Sequence, residues 1–226
     1  MLRPGSIGAT EKTERNANLF DPISLATFAL VVLGLIVIPG PAVLLTLARA
    51  IRDGRRVGLA TGLGIAAGDL VHTLFAAIGL SALLMTSALA FEIVKYAGVA
   101  YLAYLGLRSF FEKTEALSMP STRRLSPSVA FRQAVLAEML NPKTALFFLA
   151  FLPQFVHPDR GPAVVQFAVL GLIFVAAGAT YTAIIALAAG SLGQWLARHR
   201  RIGRWQGKVV GAVYLGLGIR LALQER

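Results

Sequence analysis

The chain has 226 residues, of which 56% are apolar and only 15% charged, and its mean hydropathy is +0.68. A soluble domain of that length carries more charge on its surface, so a water-soluble globule is excluded in favour of apolar spans joined by polar loops. The net charge is +11 and cysteine is absent, which removes disulfides, thiol nucleophiles and cysteine metal sites.

Residues 1–20 are polar and of mixed charge, with Arg3, Glu11, Lys12, Glu14 and Arg15. The apolar run behind them is too long for a signal peptide, so they are expected to be a flexible polar tail ahead of a transmembrane transporter domain at 21–226. A bilayer core of about 30 Å needs about 20 apolar residues in a helix. On that measure six spans are expected, at 23–48, 57–85, 91–110, 134–156, 163–192 and 205–223. The stretch 111–132, with Pro120, Pro127 and several serines, is the longest loop. It separates two halves at about 21–110 and 133–223.

Lysine and arginine counts orient the spans. Basic residues crowd the loops after span one (Arg49, Arg52, Arg55, Arg56), after span three (Arg108 to Arg132) and after span five (Arg198 to Lys208). These three loops hold fourteen basic residues and the opposite side six. The basic loops are therefore expected in the cytoplasm and both termini on the outer side. The same runs fit lipid headgroups better than nucleic acid, and no nucleic-acid partner is expected.

A weak internal repeat accompanies this layout. At an offset of 113, Gly58-Leu59 matches Gly171-Leu172, Gly98 matches Gly211, and Tyr101-Leu102 matches Tyr214-Leu215; at 114, Pro39 matches Pro153. Three spans per copy is an odd number, so the second copy enters the membrane inverted. Inverted repeats are a common build for secondary transporters. The expected fold is thus an all-α polytopic membrane protein of six transmembrane helices in two inverted three-helix repeats.

Several residues inside the spans stand out. Pro39-Gly40-Pro41 interrupts span one, where two prolines around a glycine break a helix. In hydrocarbon such a break is tolerated only against protein or a wet cavity, and its freed backbone groups suit a substrate. Asn141-Pro142-Lys143 interrupts span four at a similar depth, so the two breaks are expected to face each other; Lys143 has snorkelling to the headgroups as its alternative. Glu138 lies five positions before Lys143 and three before Asn141, a spacing that is not ideal for a Glu138–Lys143 pair. Asp69 is the one acidic residue deep in an apolar span, at an insertion cost of about 2.5–3.5 kcal/mol. A carboxyl there can hold a cation or an ammonium group, or carry a proton. His72, at i+3 on the same face, is a hydrogen-bond partner, a second proton site or a packed histidine.

Gly58/Gly62 and Gly64/Gly68 have the spacing that lets helices approach closely, within one chain or in a homodimer. Thr180 and Tyr181, in the middle of span five, are weaker candidates for lining a pathway. No phosphate loop, nucleophile–base pair or metal-ligand spacing is visible, so neither an enzyme nor a metal or other cofactor is expected.

The ordered set of Pro39-Gly40-Pro41, Gly54-Arg55-Arg56, Gly58-Leu59, Gly64, Gly68-Asp69, Tyr96-Ala97-Gly98 and Tyr101-Leu102 resembles the lysine exporter (LysE/RhtB-type) family. Asn141-Pro142-Lys143 and Phe151-Leu152-Pro153-Gln154-Phe155 extend the resemblance, which covers about 23–223. It implies export of an amino acid or related metabolite from the bacterial cytoplasm across the inner membrane, driven by an ion or proton gradient. Substrate binding is then expected at Pro39, Gly40, Pro41, Asp69, Asn141, Pro142 and Lys143, and proton coupling at Asp69 and His72. A metal-ion exporter, a passive channel, and a membrane scaffold or enzyme subunit are the competing readings. Asp69 and His72 are too few ligands for a metal route, and a scaffold needs neither the prolines nor Asp69.

Overall fold

A computed structural model describes residues 19–37, 40–86 and 125–198, with isolated helical positions between 89 and 107 and at 219. Expected spans three and six, Pro39 and the tyrosines at 101 and 214 lie outside the described residues, as do residues 1–18. Everything regular among the described residues is helical. The order is α1 (Pro22–Val37), α2 (Pro41–Asp53), α3 (Arg55–Phe75), a π segment (Ala76–Leu80), α4 (Ser81–Thr86), α5 (Pro127–Met139), α6 (Pro142–Leu146), a second π segment (Phe147–Phe151), two short 3₁₀ turns, and α7 (Ala163–Arg198).

Two helical stretches, Arg55–Leu83 and Ala163–Ala189, are each long and apolar enough to cross a bilayer. Two bent pairs, α1 with α2 and Pro127–Met139 with Pro142–Phe155, raise the count to four if each is one broken span. The bends are 49° and 44°. They fall where the sequence places its prolines, since proline at the first helical position has no N–H to lose and starts a new helix there. Gly40 caps α2 ahead of Pro41, and Asn141 caps α6 ahead of Pro142.

Span four begins earlier than its apolar run. Pro127 opens α5, so residues 127–132, assigned above to the linker, are helical. Ser126 is the reason: its hydroxyl accepts from the Val129 amide, and Pro127 follows at N1. Apolar periodicity does not see this turn, because Ser128 and Arg132 are exposed on it.

Helix α3 is central and packs against α2, α5 and α7. Its glycines make this possible. A Cβ at Gly58 would meet Ala50 of α2 at 2.5 Å, and one at Gly62 would meet Thr182 of α7 at 2.9 Å. At Gly64 it would strike the Phe131 carbonyl of α5, and at Gly68 it would lie 2.6 Å from Glu138 Cβ. All four glycines are thus used within one chain, and their spacing argues for no contact between copies. Gly171 of α7, the repeat partner of Gly58, is likewise a close approach, against Thr73. These contacts make α5 parallel and α7 antiparallel to α3.

Aromatic packing fills one end of the bundle. Phe28, Phe147, Phe148, Phe151, Phe155, Phe167 and Phe174 are buried in one cluster, with the Phe147 and Phe174 rings stacked at 4.7 Å. Outward-facing apolar residues such as Leu30, Leu63, Leu136 and Leu187 are more than half exposed, as lipid-facing side chains are.

The close approach at Gly64 gives a direct test. Gly64→Ala forces α3 and α5 apart and should destabilise the protein by about 1–3 kcal/mol. Gly34→Ala, where a Cβ meets nothing within 4 Å, should be neutral. Thermal unfolding of the purified protein in detergent distinguishes them.

Candidate functional site

Where α1 stops, its last carbonyls lose their helical partners, and in hydrocarbon they need others. Lys143 supplies one: its Nζ donates to the Leu35 carbonyl at 2.9 Å. The Tyr181 hydroxyl makes a longer bond of 3.4 Å to the Val37 carbonyl. A cation at a helix C-terminus is also favoured by the helix dipole. The two breaks therefore meet, and a Cβ at Gly40 would lie 3.0 Å from the Lys143 ammonium. Lys143 is half-buried and turned inward to this carbonyl, not outward to headgroups.

A cavity of about 50 Å³ lies at this junction, lined among others by Gly40, Asp69, Glu138, Asn141, Lys143 and Tyr181. Asp69 is 3% exposed, and its Oδ1 has no hydrogen-bond partner among the described residues. Glu138, also 3% exposed, lines the same cavity, its Cβ packed against Gly68 next to Asp69. The missing side chain at Gly68 gives Glu138 its place, and Gly178 of α7 leaves open the other side of Asp69, where a Cβ would stand 3.5 Å from Oδ2.

Glu138 is held firmly. Asn141 Nδ2 donates to both of its carboxylate oxygens, at 3.0 and 3.1 Å, and the Thr144 hydroxyl donates to Oε1. The Asn141 side-chain oxygen meanwhile accepts from the Lys143 amide at 3.0 Å, capping α6. One asparagine thus starts the second half of the broken span and anchors the carboxylate left by the first. The break between Glu138 and Lys143 turns the Lys143 side chain toward α1 and the Leu35 carbonyl.

Of the expected site residues, Gly40, Asp69, Asn141 and Lys143 come together on the cavity. Pro41 and Pro142 are exposed at the first turns of their helices and act through the backbone they shape. His72 lies beside the site: its Nε2 is 3.0 Å from the Glu138 carbonyl and its ring stacks on Phe148 at 5.7 Å. Thr180 is exposed and bonds its own helix, whereas Tyr181 and Thr182 reach the cavity. Glu138 is the residue that sequence reasoning undervalued. Its i−3 relation to Asn141 was the available signal, but which face it used depended on the helix break.

On the basic side of the cavity, Arg49 ties α2 to α5. Only 6% exposed, its guanidinium donates to the Ala130 carbonyl and to Gln133 Oε1, both at 2.8 Å. Arg49 is therefore a buried clamp, not the loop residue of the charge count, because α2 continues to Asp53. Asp53 pairs with Arg52 at 2.7 Å. Residues 49–56 and 125–133 thus share one end of the bundle, and the antiparallel α7 ends on that side too. The phenylalanine cluster closes the other end. Among the described residues no three His, Asp or Glu side chains group as metal ligands.

A cavity thus lies between two broken helices in a lipid-facing bundle, with carboxylates and an ammonium on its wall. The LysE type translocator family model matches residues 33–225. This chain belongs to that family. It is 33% identical over 201 residues to an uncharacterized membrane protein of Pseudomonas aeruginosa, covering 87% of this chain and 93% of the relative. An uncharacterized membrane protein of Bacillus subtilis is 28% identical, over 88% of this chain and 99% of its own. A leucine efflux protein of Salmonella choleraesuis is 25% identical, over 83% and 89%. No solved structure matches. The family and the apolar helices make this translocator a multi-pass membrane protein.

Asn141 separates capping from charge. Asn141→Ala loses the cap and both bonds to Glu138 and should cost about 1–3 kcal/mol. Asn141→Asp keeps a capping oxygen but brings a carboxylate against Glu138, and should be the more damaging of the two in thermal unfolding.

Proposed function

We propose that this translocator exports a small amino acid from the bacterial cytoplasm across the inner membrane in exchange for protons. The match to the translocator family over nearly the whole chain carries this reading. The leucine efflux relatives make leucine the first substrate to try. We further propose six spans in two inverted halves, 21–110 and 133–223, with residues 1–20 as a polar tail. The linker at 111–132 then contributes its last residues to α5. Clustering of the basic segments at one end of the bundle supports a cytoplasmic placement of that end and outer termini.

The cavity offers each part of a zwitterion a partner. Amides in the first turn of α2, after Gly40 and Pro41, sit at a positive helix end and suit a carboxylate. Lys143 and Asn141 stand across from them. Asp69 and Glu138 suit the ammonium group. Apolar lining from Leu35, Ile36, Val43, Ile65 and Phe174 suits an aliphatic side chain. The Arg49 clamp and the phenylalanine cluster are the two closures that would open in turn. His72 packs behind Glu138 as a positioning residue of the proton site.

Reconstitution tests this reading. Liposomes carrying the full chain and loaded with leucine should lose it faster when the outside is made acid, and Asp69→Asn should reduce the driven flux more than tenfold. If a pH gradient moves neither leucine nor any other amino acid, or if Asp69→Asn leaves driven flux intact, the reading is wrong.

A further inference from the structure

The two carboxyl groups in the cavity raise a question of proton count. Asp69 and Glu138 line one cavity, Glu138 packed against Gly68 next to Asp69, and both are almost wholly buried. Carboxylates only accept hydrogen bonds, so a bond between the two groups needs a proton on one of them. The donors decide which. Three bonds from Asn141 and Thr144 converge on Glu138, which marks it as the charged member. Asp69 lines the cavity, and its buried Oδ1 has no partner among the described residues. Asp69 is therefore the member that carries the proton and donates it.

We propose that Asp69 and Glu138 form a carboxyl–carboxylate pair holding one proton, and that the amino group of the substrate displaces it. This rests on the reading of the cavity as the export site, and it adds Glu138 as the second half of the proton site. The exchange balances in charge and atoms. A protonated Asp69 beside anionic Glu138 has a net charge of −1. When a substrate ammonium binds, the Asp69 O–H bond breaks, the proton leaves to water on the open side, and two carboxylates flank one cation, again −1 in all. Two bare carboxylates side by side out of water would be strongly disfavoured. The empty deprotonated site is thus rare, and proton and ammonium exclude each other. That exclusion is what couples inward proton movement to outward substrate movement.

Other charged or titratable groups facing the pair are few among the described residues. Lys143 of α6 and Tyr181 of α7 line the same cavity. His72 lies one turn along α3 against the Glu138 carbonyl. The cavity residues of α1 and α2 (Leu35, Ile36, Gly40, Ala42, Val43) do not titrate.

Infrared difference spectroscopy on the full chain in lipid reads the proton without requiring transport. Wild type should show the carbonyl stretch of one buried protonated carboxyl. Asp69→Asn should abolish it, and Glu138→Gln should shift it, because Asp69 then donates to a neutral amide. A band that survives Asp69→Asn, or that Glu138→Gln leaves unmoved, overturns the pair. So does a band that sodium, at fixed pH, removes in place of the proton. Adding leucine to wild type in weakly buffered solution should release about one proton per leucine bound, and Asp69→Asn should release none. Leucine binding without proton release overturns the displacement step. If the band behaves as expected but no amino acid binds or moves, the pair stands and the export reading fails instead.

Discussion

A helix that stops inside hydrocarbon leaves carbonyls with no water to turn to, and the structure depends on how this is resolved at Leu35. The Lys143 ammonium meets that carbonyl, and it arrives from the other broken span. Each break therefore supplies what the other needs: α1 offers acceptors, and the first turn of α6 offers a cation. Neither half-helix is well satisfied alone, which makes their meeting a constraint on the whole bundle and not a local detail. The cavity is a consequence, since two bent spans that touch at their breaks cannot also fill the space beside them.

The glycines of α3 do the complementary work. By removing side chains at Gly58, Gly62, Gly64 and Gly68, they let three neighbours approach one helix. Without a water-driven hydrophobic effect inside the bilayer, such close contact is the main source of helix association. It also sets the chemistry. Glu138 can reach Asp69 only because Gly68 leaves room for it, so a packing feature and a charge feature are one arrangement. Gly178 lies on the far side of Asp69, beside its Oδ2.

Polar groups then divide the bundle along its length. Arg49 ties its basic end with bonds to the Ala130 carbonyl and Gln133. Packed phenylalanines fill the opposite end, where the buried Gln166 side chain also bonds the His157 and Gly161 backbone. The two ends differ in kind: a buried guanidinium holds one by hydrogen bonds, and packed aromatic rings hold the other.

Much of this was legible in the residue order. Composition alone established apolar helical spans, prolines marked both breaks, and Asp69 stood out because a lone acid in an apolar run is costly. These are one-dimensional facts: each depends on a residue and its immediate neighbours. The helical start at Pro127, the burial of Arg49 and the role of Glu138 were not legible in the same way. A capping serine, not apolarity, opens α5; α2 outlasts its apolar stretch; and Glu138 was weighed only for a contact with Lys143. Sequence by itself determined that the chain is helical, lies in a membrane and breaks at Gly40-Pro41 and Asn141-Pro142. Only the tertiary structure decided which groups meet there. The distance between Asp69 and Glu138, 69 positions apart, is set by the helix contact at Gly68 and by no local preference of either residue.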